Sequence, residues 1–183
     1  FFFHAQDGIR DPLWSRGLGD VYKRQVVLNI DSHTDVGQQF KSMQFTMSQN
    51  FPKAIIDGFL IQEMSEPGLE IILGINNREG FGPILMVGFG GIHVEKTRDV
   101  AFAPVPLGED DCNQLLKKLK GSVLLDADKY DVPALIDLMT SLSNFAESTS
   151  DYIGEIDLNP VLVHSKGQGV TVIDALMFKH QKH

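Results

Sequence analysis

Apolar positions along the chain follow two rhythms, one of three to four residues and one of two. Val26-Val27-Leu28-Asn29-Ile30 is a short apolar run bounded by Asp31 and Ser32, and it predicts a buried strand. Asp31 or Ser32 is placed to cap a helix over 33–49, with Val36, Phe40, Met43 and Met47 on one stripe. Phe51-Pro52 ends that helix, because the residue before a proline is pushed out of the helical region. Strands are predicted over 59–64, 69–75 and 83–89, with turns at 76–82 and at Gly90-Gly91. Two shorter strands follow at 92–95 and 100–102. Residues 109–119 read as an amphipathic helix with Leu115, Leu116 and Leu119 inward and Gly121 as its stop. Asp131 and Pro133 open another helix, lined by Leu135, Leu138, Met139, Leu142 and Phe145. Three strands close the chain at 152–158, 161–164 and 170–174, the last two joined by a Gly167-Gln168-Gly169 turn. The pattern is that of an α+β domain: a mixed, mostly antiparallel sheet with packed helices.

Composition changes this picture at one end. The first 25 residues hold 5 of the 16 aromatic residues and sustain neither rhythm. The stretch 14–25 resembles translated adaptor sequence, so 1–25 is expected to be a non-native tail and 26–183 the domain. The tail carries 4 of the 16 basic and 3 of the 24 acidic residues, which leaves the remainder at a net charge of −9. Such a balance argues against nucleic acid as a partner, because nucleic-acid binding needs a basic footprint. The single Cys112 excludes an internal disulfide and a cysteine-rich zinc site, and it fits a cytoplasmic setting. Its place at a helix start, with no base nearby in sequence, predicts an inert thiol. No apolar run is long enough for a membrane span.

Two clusters carry candidate chemistry. Seven of the 17 glycines fall between Gly68 and Gly91, among Glu63, Glu70 and Glu95. Spacing alone allows a meander with tight turns or a close ligand approach. The second cluster is Glu155-Ile156-Asp157-Leu158-Asn159-Pro160. Strand residues two apart share a face, so Glu155, Asp157 and Asn159 point one way and Ile156 and Leu158 into the core. Asp174 ends an apolar run on the next hairpin arm and is placed to sit beside Asn159. Oxygen donors so arranged fit a hard cation, which takes one or two carboxylates and completes its shell with water or phosphate. A solvated strand face ending in a proline turn is the alternative.

The ordered series resembles a family. Gly58-Phe59-Leu60-Ile61-Gln62-Glu63-Met64 and Pro67 to Gly74 are followed by Phe81-Gly82-Pro83 and Gly88 to Glu95. Asp99, Pro106-Leu107, Glu155 to Pro160 and Val172 to Ala175 complete it. Together they resemble the C-terminal part of the ATP-grasp domain of NDP-forming acyl-CoA synthetases, including ADP-forming acetate–CoA ligases and succinyl-CoA synthetase beta chains. The resemblance implies an ATP-grasp fold that is incomplete at the N-terminus. It implies ATP or ADP as ligand, with Gln62, Glu63 and Met64 as the adenine hinge and Glu70 near the ribose. Gly90, Gly91 and Glu95 would close near the phosphates, and Asn159, Asp174 and neighbouring Asp157 would hold Mg²⁺. The implied reaction interconverts a carboxylic acid, CoA and ATP with acyl-CoA, ADP and phosphate through a phosphohistidine. No catalytic residue is expected in this chain, because the phosphohistidine and CoA-binding partner domains lie outside it, and the chain alone is expected to be inactive.

The match departs from the family at the N-terminal lysine-and-histidine segment, at Arg78 in place of an aspartate, and in a shortened 126–131 region. Arg78 and the shortened 126–131 region motivate a second reading: a non-catalytic module for nucleotide sensing or subunit contact, as in an acyltransferase fusion. His93 is expected to be a packed or surface histidine.

Overall fold

The computed structural model describes residues 27–30, 32–53, 55–56, 58–78, 80–91 and 99–180. Contacts divide the chain into two compact units, Phe1–Met64 and Ser65–His183.

In the first unit, helix α1 runs over His33–Asn50. Ser32 caps it, its hydroxyl accepting the Asp35 N–H at 3.1 Å, which satisfies one of the free donors of the first turn. Met43 and Met47 are buried as the stripe predicts, and the Phe40 ring meets Phe59 edge-on at 4.6 Å between centroids. Two predicted strands do not form. Residues 27–30 are irregular, and Asn29 has φ of +58°, outside the extended region a strand needs. Residues 59–64 are irregular apart from a single bridge residue at Leu60.

The second unit is a six-stranded sheet with two helices on one face. Its strands are β1 (Leu69–Arg78), β2 (Gly82–Phe89), β3 (Val100–Pro104), β4 (Ile153–Val163), β5 (Val170–Val172) and β6 (Ala175–Lys179). Helices α2 (Glu109–Lys117) and α3 (Val132–Ser148) lie between β3 and β4 in sequence, with a 3₁₀ turn at Ser122–Leu124 between them. The order is β3-β2-β1-β4-β5, every pairing is antiparallel, and β6 shares the β5 edge of β4.

Period-two alternation puts Ile71, Leu73 and Ile75 of β1, Leu85, Val87 and Phe89 of β2, and Ile156 and Leu158 of β4 on the helical face. Leu115, Leu116 and Leu119 meet them from the α2 segment, and Leu135, Met139, Leu142 and Ala146 from α3. Phe145, predicted on the apolar face of α3, is 41% exposed instead. The stripe advances through 135, 139, 142 and 146, which rotates position 145 out of it.

The predicted strands 152–158 and 161–164 are one strand. A register shift opposite Ile71–Leu73 absorbs Asn159 and Pro160 as a bulge, so Leu158 and Val161 both face the core. The predicted strand 170–174 ends at Val172, and β6, absent from the sequence reading, continues the same edge.

Candidate functional site

The sheet face opposite the helices carries three of the predicted residues, Glu70, Asp157 and Asn159. Glu70, Ile72, Gly74 and Asn76 of β1 alternate with the core positions, and Glu155, Asp157 and Asn159 do so on β4. Asp157 is paired with Gly74 and Glu155 with Asn76. Gly74 offers no side chain beside Asp157, and a Cβ there would meet Met86 Cε at 3.3 Å.

The kink between β5 and β6 falls opposite the β4 bulge. Asn159 N–H donates to the Asp174 carbonyl at 3.0 Å, and Ile173 N–H donates to the Pro160 carbonyl at 3.0 Å. Asp174 thereby sits beside Asn159, as the sequence indicates. Its side chain is exposed. The turn of the chain at the kink carries its side chain to the surface, where Oδ1 accepts its neighbour's Ala175 N–H at 2.9 Å.

The half-buried carboxylate is Asp157. Burial, then the charges of Glu155 and Asp174, push its carboxyl up to about 6. Negative charge is thus concentrated where the bulge, the kink and Gly74 meet. Among the described residues no three His, Cys, Asp or Glu side chains form a ready-made metal cluster. The oxygen donors here are two aspartates and an asparagine, which suits a cation that keeps several waters.

The second grouping lies at the start of β1. Gly90 N–H donates to the Glu70 carbonyl at 2.7 Å. Gly91 has φ of +64°, and a Cβ on it would lie 2.6 Å from Glu70 Oε2. Glycine is required on both counts. Glu70, Gly90 and Gly91 are therefore brought together at one end of β1, and Asp157 stands opposite Gly74 four residues along, roughly 13 Å away at strand rise.

Gln62, Glu63 and Met64 are exposed and belong to the first unit. Glu95 and His93 lie outside the described residues. The apolar cavity of about 630 Å³ within the first unit, lined by Val36, Phe40, Ile56 and Phe59 among others, includes none of the predicted site residues. Cys112 is buried, and burial raises its thiol above the ordinary range, which fits an inert role.

Sequence reasoning grouped Glu155 with Asp157 and Asn159 but left it out of the proposed metal ligands, and it gave Asp99 no role. The period-two pattern already put Glu155 on the Asp157 face. Asp99 is a buried carboxylate just before β3, and its oxygens bond to backbone N–H groups 21 and 22 residues away. No local signal encodes that pairing.

Comparison with known proteins gives a consistent answer. Residues 23–178 match the ATP-grasp domain family. The chain is 35% identical over 154 residues to the acetate–CoA ligase [ADP-forming] II subunit beta of Pyrococcus furiosus, covering 82% of this chain and 65% of that one. It is 34% identical over 152 residues to the 4-hydroxybutyrate–CoA ligase [ADP-forming] of Nitrosopumilus maritimus, covering 81% of this chain and 22% of that one. Among solved structures, a protein of Pyrococcus horikoshii superposes with a TM-score of 0.78 at 32% identity, over 91% of this chain and 72% of that one. The dinucleotide forming acetyl-coenzyme A synthetase 1 of Ca. Korarchaeum cryptofilum, in complex with coenzyme A and Mg-AMPPCP, superposes with a TM-score of 0.73 at 28% identity. That match covers 98% of this chain and 78% of that one. The chain thus spans just under two thirds of the subunit and about a fifth of the longer ligase.

Proposed function

Because the chain belongs to the ATP-grasp domain family, we propose that it is the nucleotide-binding part of an ADP-forming acyl-CoA synthetase. The observation that carries this reading is the open sheet face. A glycine turn held against Glu70 stands at one end of β1, and the Asp157, Asn159 and Asp174 oxygens stand further along.

On this reading the Gly90–Gly91 turn, packed against Glu70, lies on the phosphate side of the site, and Glu70 lines the ribose side. The resemblance adds Gln62, Glu63, Met64 and Glu95 as further candidate nucleotide-binding residues. Asn159 and Asp174, with Asp157 beside them, would hold Mg²⁺. The donor chemistry fits, since a divalent cation would offset the burial, and then the repulsion from Glu155 and Asp174, that raise the Asp157 carboxyl. When bound, the ion offsets the charge of the phosphoryl group being transferred. Asp157 would be held as the carboxylate by the cation, while Asn159 contributes a neutral oxygen and no further repulsion.

The whole reaction would convert a carboxylic acid, CoA and ATP into acyl-CoA, ADP and phosphate. It would draw its phosphohistidine and CoA-binding site from a partner domain or subunit. The relatives' names as ADP-forming ligases support this, one of them being a beta subunit. A reducing cytoplasm fits the single buried thiol, and no helix among the described residues is long and apolar enough to cross a membrane.

Isothermal titration with Mg·ATP and Mg·ADP tests the reading. Binding is expected for both, weakened about tenfold or more in Asp174→Ala and in Asn159→Ala, with the effect vanishing when EDTA replaces Mg²⁺. No binding, or binding indifferent to Asp174→Ala, refutes it. Binding by the longer protein without acyl-CoA formation would favour a nucleotide-sensing module.

A further inference from the structure

Asp99 has a carboxylate that nucleotide binding as described does not use. It is only 7% exposed and directly precedes β3. A carboxylate withdrawn from water needs donors to replace its hydration. Both donors here are backbone groups: Lys120 N–H reaches Oδ1 at 2.8 Å and Gly121 N–H reaches Oδ2 at 2.7 Å. They lie in the turn between α2 and the 3₁₀ segment Ser122–Leu124.

The same turn touches the end of β2. A Cβ on Gly121 would lie 2.9 Å from Phe89 Cε2 and 3.2 Å from Asp99 Oδ2, so Gly121 is pinched between the two. Phe89 and Asp99 stand just beyond the last β2–β3 pair, Gly88 with Val100. Gly88 also runs close to this knot, since a Cβ on it would come within 3.0 Å of the Asp99 carbonyl. The residue after Phe89 is Gly90, whose N–H is held by the Glu70 carbonyl.

We propose that Asp99 is a positioning residue. By tying the adjoining ends of β2 and β3 to the Lys120–Gly121 turn, it fixes the Gly90–Gly91 turn in the shape that receives phosphate oxygens. The functional half of this inference rests on the nucleotide reading. Asp99 acts only through the backbone, because both its oxygens are taken up by the turn.

Two variants of the full chain perturb the knot from opposite sides. Asp99→Asn keeps the shape but replaces one acceptor with a donor that faces an N–H. Gly121→Ala places a methyl against the Phe89 ring. Thermal melting confirms that each variant is folded. Amide hydrogen exchange then reads the turn without any ligand. The Gly90 N–H is expected to exchange about tenfold faster or more in both variants, while Val161 in the interior of β4 keeps its rate. Titration with Mg·ATP and with adenosine reads the consequence. Mg·ATP is expected to bind about tenfold more weakly, and adenosine, which has no phosphates, to bind as before.

Unchanged Gly90 exchange in Asp99→Asn overturns the positioning role. Equal weakening of both ligands overturns it as well, since general loosening would do that. A wild-type chain that binds neither ligand overturns the nucleotide reading, and the exchange rates still decide whether Asp99 sets the turn.

Discussion

Asp157 is the residue at which charge and burial conflict most. Its carboxyl titrates near 6, against an ordinary value of 3.8. Between those two values the folded chain holds a proton that the unfolded chain has released. Stability therefore falls as pH rises from about 4 to about 6 and stays lower above that. After allowance for solvent screening the loss is on the order of 1–2 kcal/mol. Asp157→Asn is expected to raise the melting temperature at pH 7 in EDTA and to flatten the pH dependence between 4 and 6, measured by circular dichroism. If the variant melts lower at pH 7, the carboxylate is stabilising and the assignment is wrong. The facing of Asp157 was legible in the sequence, because period two leaves a strand residue only two sides to choose from. The exposure of Asp174 was not, because the kink that carries it outward is made by Asn159 and Pro160 on another strand. Asp99 was illegible for the same reason, its donors being remote in sequence.

At the scale of elements, single polar side chains join the helices to the sheet and loops. Asp131 caps α3 through the Ala134 N–H at 3.3 Å, and its other oxygen takes the Gly169 N–H at 2.8 Å. Its own N–H donates to the His164 carbonyl, so the β4–β5 hairpin and the start of α3 share one anchor. Asp131→Ala is expected to cost about 2–3 kcal/mol in urea denaturation, and Asp131→Ser, which keeps the cap but not the reach to Gly169, about half of that. Equal losses in both variants would show that the hairpin bond contributes nothing. Ser143 is fully buried in α3, and its hydroxyl accepts the Leu107 N–H at 2.7 Å. Ser143→Ala leaves that amide without a partner and is expected to cost about 1–3 kcal/mol in the same assay. Ser143→Thr restores the hydroxyl, and its recovery of stability would separate the bond from packing. Helices α1, α2 and α3 were legible because each has a stripe or a cap in its own sequence. Strand β4 was read as two because Asn159-Pro160 looks like a turn locally, whereas pairing with β1 on one side and with the β5–β6 edge on the other carries the chain through it. Strand β6 has exposed Met177 and Phe178, and little in its own pattern distinguishes it from a tail.

For the whole molecule, the distribution of buried apolar residues matters more than the chain length. The principal core cluster runs from Ile71 to Val163 and lies entirely within Ser65–His183. Met43 and Met47 are the buried apolar residues described in the first unit. About 119 residues with a sheet covered on one face by two helices is within the size at which a single domain folds cooperatively. The sequence rhythm shows this division only faintly, since the runs 26–30 and 59–64 have strand character, yet residues 27–30 and most of 59–64 are irregular in the fold. A chain of residues 65–183 is therefore expected to unfold in one cooperative transition. Its midpoint should lie within a few degrees of the main transition of the full chain, because nearly all the buried apolar surface that drives folding is retained. Leu135→Ala in either length should lower both transitions together, by about 2–5 kcal/mol, since Leu135 is fully buried under the sheet. Calorimetry on the two lengths decides it. If 65–183 melts without a cooperative transition while the full chain keeps one, the first unit is part of the folding core, and the division by contacts does not describe how this protein folds.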